Sequence, residues 1–182
     1  MLKASENPPV TWPDSMSVRE FNGTWLVAHT KSRNEKALAN DLIAKNINYF
    51  LPMTWKIHHC RGRKIKSLLP LFSGYLFFCG DQSQRLELLR TNRVANLIEV
   101  KDQQKLLEEL SNIELAIKAG APLEQHKYIK IGQHCKVTSG PLRGLEGIIQ
   151  ATPKSARLIL KIEMLGQAAS VEVDTDVIEI EQ

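Results

Sequence analysis

The chain has 182 residues, of which 43% are hydrophobic and 24% charged, with a formal net charge of +4. This composition lies near the globular average and excludes collagen-like, coiled-coil and wholly disordered chains, and no run of roughly 18 apolar residues offers a membrane-spanning helix. The charge is uneven: residues 1–24 sum to −1, residues 25–93 to +8 and residues 94–182 to −3, so any polyanion partner is expected at 25–93.

Residues 1–24 contain Pro8, Pro9 and Pro13 and no apolar periodicity, which predicts a flexible tail. The same segment lacks the apolar stretch of a secretory signal, so a cytoplasmic protein is expected. Trp25–His29 suits a strand, and Ser32 or Asn34 can cap a helix over 35–46, where Ala37, Leu38 and Leu42 form one stripe. Residues 48–57 read as a strand that Pro52 pushes to an edge or a bulge, and 58–67 as a basic hairpin tip with Gly62 in the turn. Leu71–Cys79 is the most apolar run and predicts a central strand. A helix from Asp81 or Ser83 to Arg90, a strand over 94–100 and a helix from Asp102 to Ala119 follow; in the last, Leu106, Leu110, Ile113 and Ile117 share a stripe.

This order predicts an α+β domain over 25–119, with an antiparallel sheet backed by helices. Residues 120–127 read as a linker. From 128 to 182, short β-rich stretches alternate with turns at Ser139-Gly140-Pro141, Thr152-Pro153 and Gly166-Gln167, which suits a small β-barrel. Pro141 and Pro153 and the alternation of 171–180 argue against long helices there.

The chemistry-bearing groups are few. Cys60, Cys79 and Cys135 show no CxxC spacing and read as reduced thiols. On a strand His58 and Cys60 share a face, but two ligands fall short of the four a structural zinc needs, so no metal is expected. Phosphate-loop, nucleophile-elbow, zincin and dinucleotide motifs are absent from the sequence. His134 and Cys135 are neighbours that a strand points to opposite faces. The expectation is a protein without catalytic residues or cofactors. Gly140, Gly144 and Gly147 space a turn followed by a strand, as the tight corners of a small barrel require.

The segment KIGQHCKVTSGPLRGLEGIIQ resembles a KOW motif, with Gly147 at the hallmark glycine. Upstream, WLVAHTKSRNEKALANDL resembles the opening of the NusG N-terminal domain through Trp25, Lys31 and Glu35, and LPLFSGYLFF resembles its most characteristic strand. The resemblance to the NusG family spans residues 25–181. Within it, PMTWKIHHCRGRKIKSLLPLFSGYLFF is closer to specialised RfaH-like antitermination paralogues than to the general elongation factor. Two features depart from that subgroup: Thr91-Asn92-Arg93 stands where a glycine is usual before Val94, and Asp81-Gln82-Ser83-Gln84-Arg85 replaces a threonine-rich helix start.

The resemblance implies a NusG-type N-terminal domain followed by an SH3-like KOW β-barrel, in a monomeric transcription elongation or antitermination factor. It implies a polymerase-binding patch at His29, Tyr75 and Phe77, with Phe50 and Leu51 as neighbours, that grips the clamp helices of the largest RNA polymerase subunit. Lys31, Arg33, Lys36, Arg61, Arg63, Lys64 and Lys66 are the candidates for contact with upstream or non-template DNA, and Trp55, His58 and His59 for base stacking. The KOW domain is expected to meet Rho or a small-subunit ribosomal protein, and no membrane. Two other readings stay open: a ribosomal-type RNA-binding KOW protein, and a related regulator that inhibits polymerase or a competing paralogue.

Overall fold

The computed structural model describes residues 7–60, 63–127, 132–152, 155–174 and 177–180. The chain divides into two compact units, Met1–Gln103 and Gln104–Gln182. Among the described residues no helix is long and apolar enough to cross a membrane.

The first unit is a five-stranded antiparallel sheet in the order β1-β3-β6-β2-β7. Its strands are β1 (Thr11–Trp12), β2 (Thr24–Thr30), β3 (Asn48–Phe50), β6 (Tyr75–Gly80) and β7 (Val94–Glu99). Between β3 and β6 a separate two-stranded ribbon is formed by β4 (Met53–Cys60) and β5 (Arg63–Pro70). Pro52, which has no N–H to give a ladder, separates β3 from β4, and its carbonyl accepts from Leu71 N at 2.8 Å.

Two helices pack on one sheet face: α1 (Glu35–Ala44) and α2 (Gln82–Arg90). Leu38, Ala39 and Leu42 of α1 and Leu88 of α2 join Leu26, Ala28, Tyr49, Leu76 and Phe78 in one buried cluster. Asn34 occupies the N-cap position of α1 without a side-chain cap; its amide donates to Ser32 O instead. In α2 the predicted start is built as a reciprocal box, with Asp81 accepting from Gln84 N and Gln84 accepting from Asp81 N.

The proline-rich N-terminus corrects one expectation. Residues 7–24 are tied to the sheet instead of trailing from it. Thr11 pairs with Phe50 and Trp12 with Tyr49, Leu51 N donates to Val10 O at 2.7 Å, and the Tyr49 hydroxyl donates to Pro9 O at 3.0 Å. Val18 is fully buried in a 3-10 turn (Val18–Glu20) closed by a Ser17–Glu20 capping box, and Phe21 stacks on Trp25 at 5.7 Å. Proline here occupies an edge, where a missing donor costs nothing.

Apart from its first residue, α3 (Gln103–Lys118) belongs to the second unit, where its Leu106, Leu110 and Ile113 are buried. The unit continues as a six-stranded antiparallel sheet in the order β13-β9-β10-β11-β12-β8. The strands are β8 (Glu124–Lys127), β9 (Gln133–Val137), β10 (Glu146–Thr152), β11 (Ser155–Ile162), β12 (Gln167–Val173) and β13 (Ile178–Ile180). The predicted linker at 120–127 therefore ends in a strand, because Glu124–Lys127 pair with Ser170–Gln167 of β12. The unit boundary also falls at the start of α3, after Gln103, rather than beyond the end of the helix. Glu146 N donates to Asn112 Oδ1, and Glu163 N donates to the Glu109 carboxylate, so α3 is fastened to the strands that follow.

Candidate functional site

Alternation along the strands divides the aromatic residues of the first unit between two faces. Leu26, Ala28, Leu76 and Phe78 face α1 and α2, and Leu51, just past β3, joins the same core. The opposite face carries Trp25, Val27 and His29 of β2, Tyr75 and Phe77 of β6 and Phe50 of β3. Register brings His29 opposite Tyr75, Val27 opposite Phe77, and Phe50 opposite Phe77. The His29 and Tyr75 rings stack at 5.1 Å, while Phe77 meets Phe50 and Phe72 at 6.2 Å, the latter edge-on.

Burial separates these residues by role. Phe50, Leu51 and Phe77 are fully buried, Tyr75 is half-buried and His29 is exposed. Of the five predicted patch residues, the His29–Tyr75 pair reaches solvent, with Phe77 and Phe50 continuing the same face into the interior.

A buried acid holds this end of the sheet. Glu35, at the first position of α1, accepts from Gly74 N at 2.6 Å, and Gly74 O accepts from Thr30 N at 2.8 Å. Gly74 has φ of 85°, which a side chain would strain, and the bend it forms starts β6 at Tyr75. The apolar run from Leu71 reads as continuous strand, which conceals the bend. In the sequence Glu35 stands out only through the family resemblance; its place after the helix cap gives no sign that it braces a turn 39 residues away in the chain.

The predicted basic residues also part company. Lys31 is exposed and donates to Asn92 Oδ1 at 2.8 Å, and Arg33 is exposed with φ of 59°. Lys36 turns inward, donating to Asn7 Oδ1 at 2.6 Å and to Leu68 O, and burial pushes its ammonium below the usual lysine pKa. It ties α1 to β5 and is not presented to a ligand. Lys64 and Lys66 are exposed on β5. Arg61 lies outside the described residues, as do the side chains of Arg63, His58 and His59.

The ribbon exposes the stacking candidate Trp55 and adds Ile57, which sequence reasoning does not single out. Trp55 and Ile57 are 48% and 66% exposed, and Lys66 Nζ lies 4.8 Å over the Trp55 ring. The pattern Trp-x-Ile on one strand facing Lys-x-Lys on the other was the available signal for Ile57.

In the second unit the predicted glycines shape one corner. Gly140 and Gly144 have φ of 80° and 88°, Gly144 N donates to Val137 O, and Val137 N donates to Leu145 O, which seats buried Leu145 beneath the turn. Gly147 pairs with Cys135, and a Cβ there would stand 2.7 Å from Ile159 O. Beside this corner a largely apolar groove of about 290 Å³ is lined by Val137, Pro141, Leu142, Val171, Val173 and Val177, among others.

Residues 23–114, half of the chain, match the profile of the family described as NusG, transcription termination factor nusG. The match ends inside α3. No curated protein matches significantly. Among solved structures, a crystal structure of an MjSpt4:Spt5 complex in conformation B matches with 14% identity, covering 86% of this chain and 95% of that one, at a TM-score of 0.28.

Proposed function

The chain belongs to the NusG family of transcription factors, which are not enzymes, and from that premise we propose that it rides on RNA polymerase as an elongation or antitermination factor of the specialised kind. The first unit grips the clamp helices of the largest subunit through the His29–Tyr75 pair. The observation that carries this reading is that pair itself: a stacked couple of exposed His29 and half-buried Tyr75 on an otherwise buried aromatic face, beside the turn that Glu35 and Gly74 brace. Exposed aromatic surface on a rigid support is what a protein interface uses as an anchor.

The mechanism needs no bond chemistry. A factor that binds the closed clamp better than the open one shifts the population toward closure and lowers the chance of pausing. Lys31, Arg33, Lys64 and Lys66 supply exposed positive charge for upstream or non-template DNA, where phosphate contacts give affinity rather than sequence preference. The apolar groove beside the glycine corner suits recruitment of a protein partner, Rho or a small-subunit ribosomal protein. The net −2 of residues 104–182 disfavours RNA as the ligand of that unit.

Pull-down of core RNA polymerase by the tagged full chain tests the proposal. Retention by the wild type and loss with His29→Ala/Tyr75→Ala are expected; no retention, or equal retention by the variant, refutes it.

A further inference from the structure

Lys36, read from the sequence as a candidate for DNA contact, turns inward, and what holds it there joins three separate parts of the first unit. It stands in the first turn of α1 and donates to Asn7 Oδ1 at 2.6 Å and to Leu68 O of β5. Both acceptors are neutral oxygens, so neither offers the ammonium an ion pair. Desolvation by burial depresses its pKa, and the charge of Glu35 opposes that shift. Such a contact is a poor source of stability and a good source of direction, because hydrogen bonds fix an angle that apolar packing leaves soft.

The segment that delivers Asn7 precedes the family match, which begins at residue 23. Asn7 is followed by Pro8 and Pro9, whose rings restrict the backbone, and Pro8 is buried. Pro9 O accepts from the Tyr49 hydroxyl and Val10 O from Leu51 N, so the segment is pinned along the end of β3 before it enters β1. The Asn7 amide is thereby held beside the foot of the ribbon.

The ribbon needs such a fixture. Among the described residues β4 and β5 pair with each other and with no strand of the five-stranded sheet. Met53 and Leu68 pack against the core, and burial ends near Ser67. Beyond that point Trp55, Lys56, Lys64 and Lys66 are exposed. Lys64 stands four residues from Leu68, about 13 Å along the strand. A tilt of about 15° at the foot would carry it ~3.4 Å, more than the length of a hydrogen bond. The Leu68 carbonyl is therefore the point from which the direction of the ribbon is set.

We propose that Asn7, Lys36 and the Leu68 carbonyl form a strut through which the N-terminal segment fixes the direction of the β4–β5 ribbon against α1 and the sheet. Lys36 is a positioning residue: it keeps Lys64 and Lys66 on the ribbon in a set relation to Lys31 and Arg33 at the end of β2, so that the four cations meet one nucleic acid together. Preorganised contacts bind more tightly than the same contacts on a loose arm. The consequence for binding rests on the DNA contact proposed above; the strut itself rests on the geometry alone.

The test measures direction first. Nitroxide labels at Lys56→Cys on β4 and Asn40→Cys on α1, both exposed positions, report the ribbon's distance by pulsed electron paramagnetic resonance. Cys60→Ser removes a competing thiol, and Cys79 and Cys135 are buried. One narrow distance distribution is expected with Asn7 and Lys36 in place. Lys36→Met and Asn7→Ala should each broaden or shift it, whereas Asn7→Asp, which gives the ammonium a charged partner, should keep it narrow. Circular dichroism establishes that each variant is folded, and Asn7→Ala carries the test if Lys36→Met is not. The second measurement titrates the unlabelled full chain into a labelled duplex with an unpaired bubble. Asn7→Ala leaves every charge in place, and it should weaken binding about 3- to 10-fold. An unchanged distance distribution in folded Asn7→Ala and Lys36→Met overturns the strut. A broadened distribution with undiminished DNA affinity overturns the positioning role. A wild-type chain that binds no DNA sinks the contact proposed above and leaves the strut to be judged by the distances.

Discussion

At Gly147 strand β10 runs so close to β11 that a single methyl group would stand 2.7 Å from Ile159 O and 3.1 Å from Leu158 Cγ. Gly147→Ala is therefore expected to cost about 1–3 kcal/mol of second-unit stability, read by urea unfolding; an unchanged midpoint would mean the strands separate freely. Glu109 gives a second residue-scale prediction. Burial raises its pKa from 4.5 to about 7, against the Glu163 N–H and the nearby Lys105 and Lys161, while Glu163 adds repulsion. The two lysines pair with Glu163 at 2.8 Å each and hold it down at about 2. An acid whose folded pKa is raised stabilises the fold fully below its unfolded value, and loses that contribution as pH climbs through the folded one. Stability of the second unit should thus fall between about pH 4.5 and 7, and Glu109→Gln should flatten that slope. The sequence could say that Tyr75 and Phe77 share a face, because alternation is local, whereas His29 joined them only through the family resemblance. It could not say that Phe77 is sealed while His29 is open, because that depends on what covers the sheet.

Among the elements, those with strong internal signals were legible. The strand at 25–29, the helix from residue 35 and the Asp81 box each follow from side chains within the element itself. Elements built by their neighbours were not legible. β1 is two residues long, and β8 is the unremarkable Glu-Gln-His-Lys; both are strands because an adjacent edge offers them backbone partners. The N-terminal segment consequently makes a firm prediction. Removing residues 1–22 deletes the β1 pairing and the burial of Val18 and Phe21, which at ~1.5–3 kcal/mol for each side chain destabilises the first unit by about 3–6 kcal/mol. Equal unfolding midpoints for the full and shortened chains would restore the tail reading. The ribbon is an intermediate case: a basic hairpin and the candidate Trp55 are legible, but 58–60 and 63–67, which read as its tip, are paired strand, and the exposure of Ile57 emerges only once the strands are in register.

For the whole molecule, the +4 net charge hides an asymmetry: the basic excess lies at 25–93 and the acidic excess at 94–182. The proposal accordingly assigns nucleic acid to the first unit and protein to the second. The family match over 23–114 puts that arrangement in a transcription factor, and the central claim is that it acts on polymerase through the His29–Tyr75 pair. The most direct measurement is the lifetime of a defined pause in single-round transcription by core RNA polymerase, with and without the full chain. The account predicts a shortened pause with the wild-type chain and a pause returned toward its unassisted length with folded Tyr75→Ala. An unchanged or lengthened pause with the wild type, or full activity in Tyr75→Ala, would contradict it.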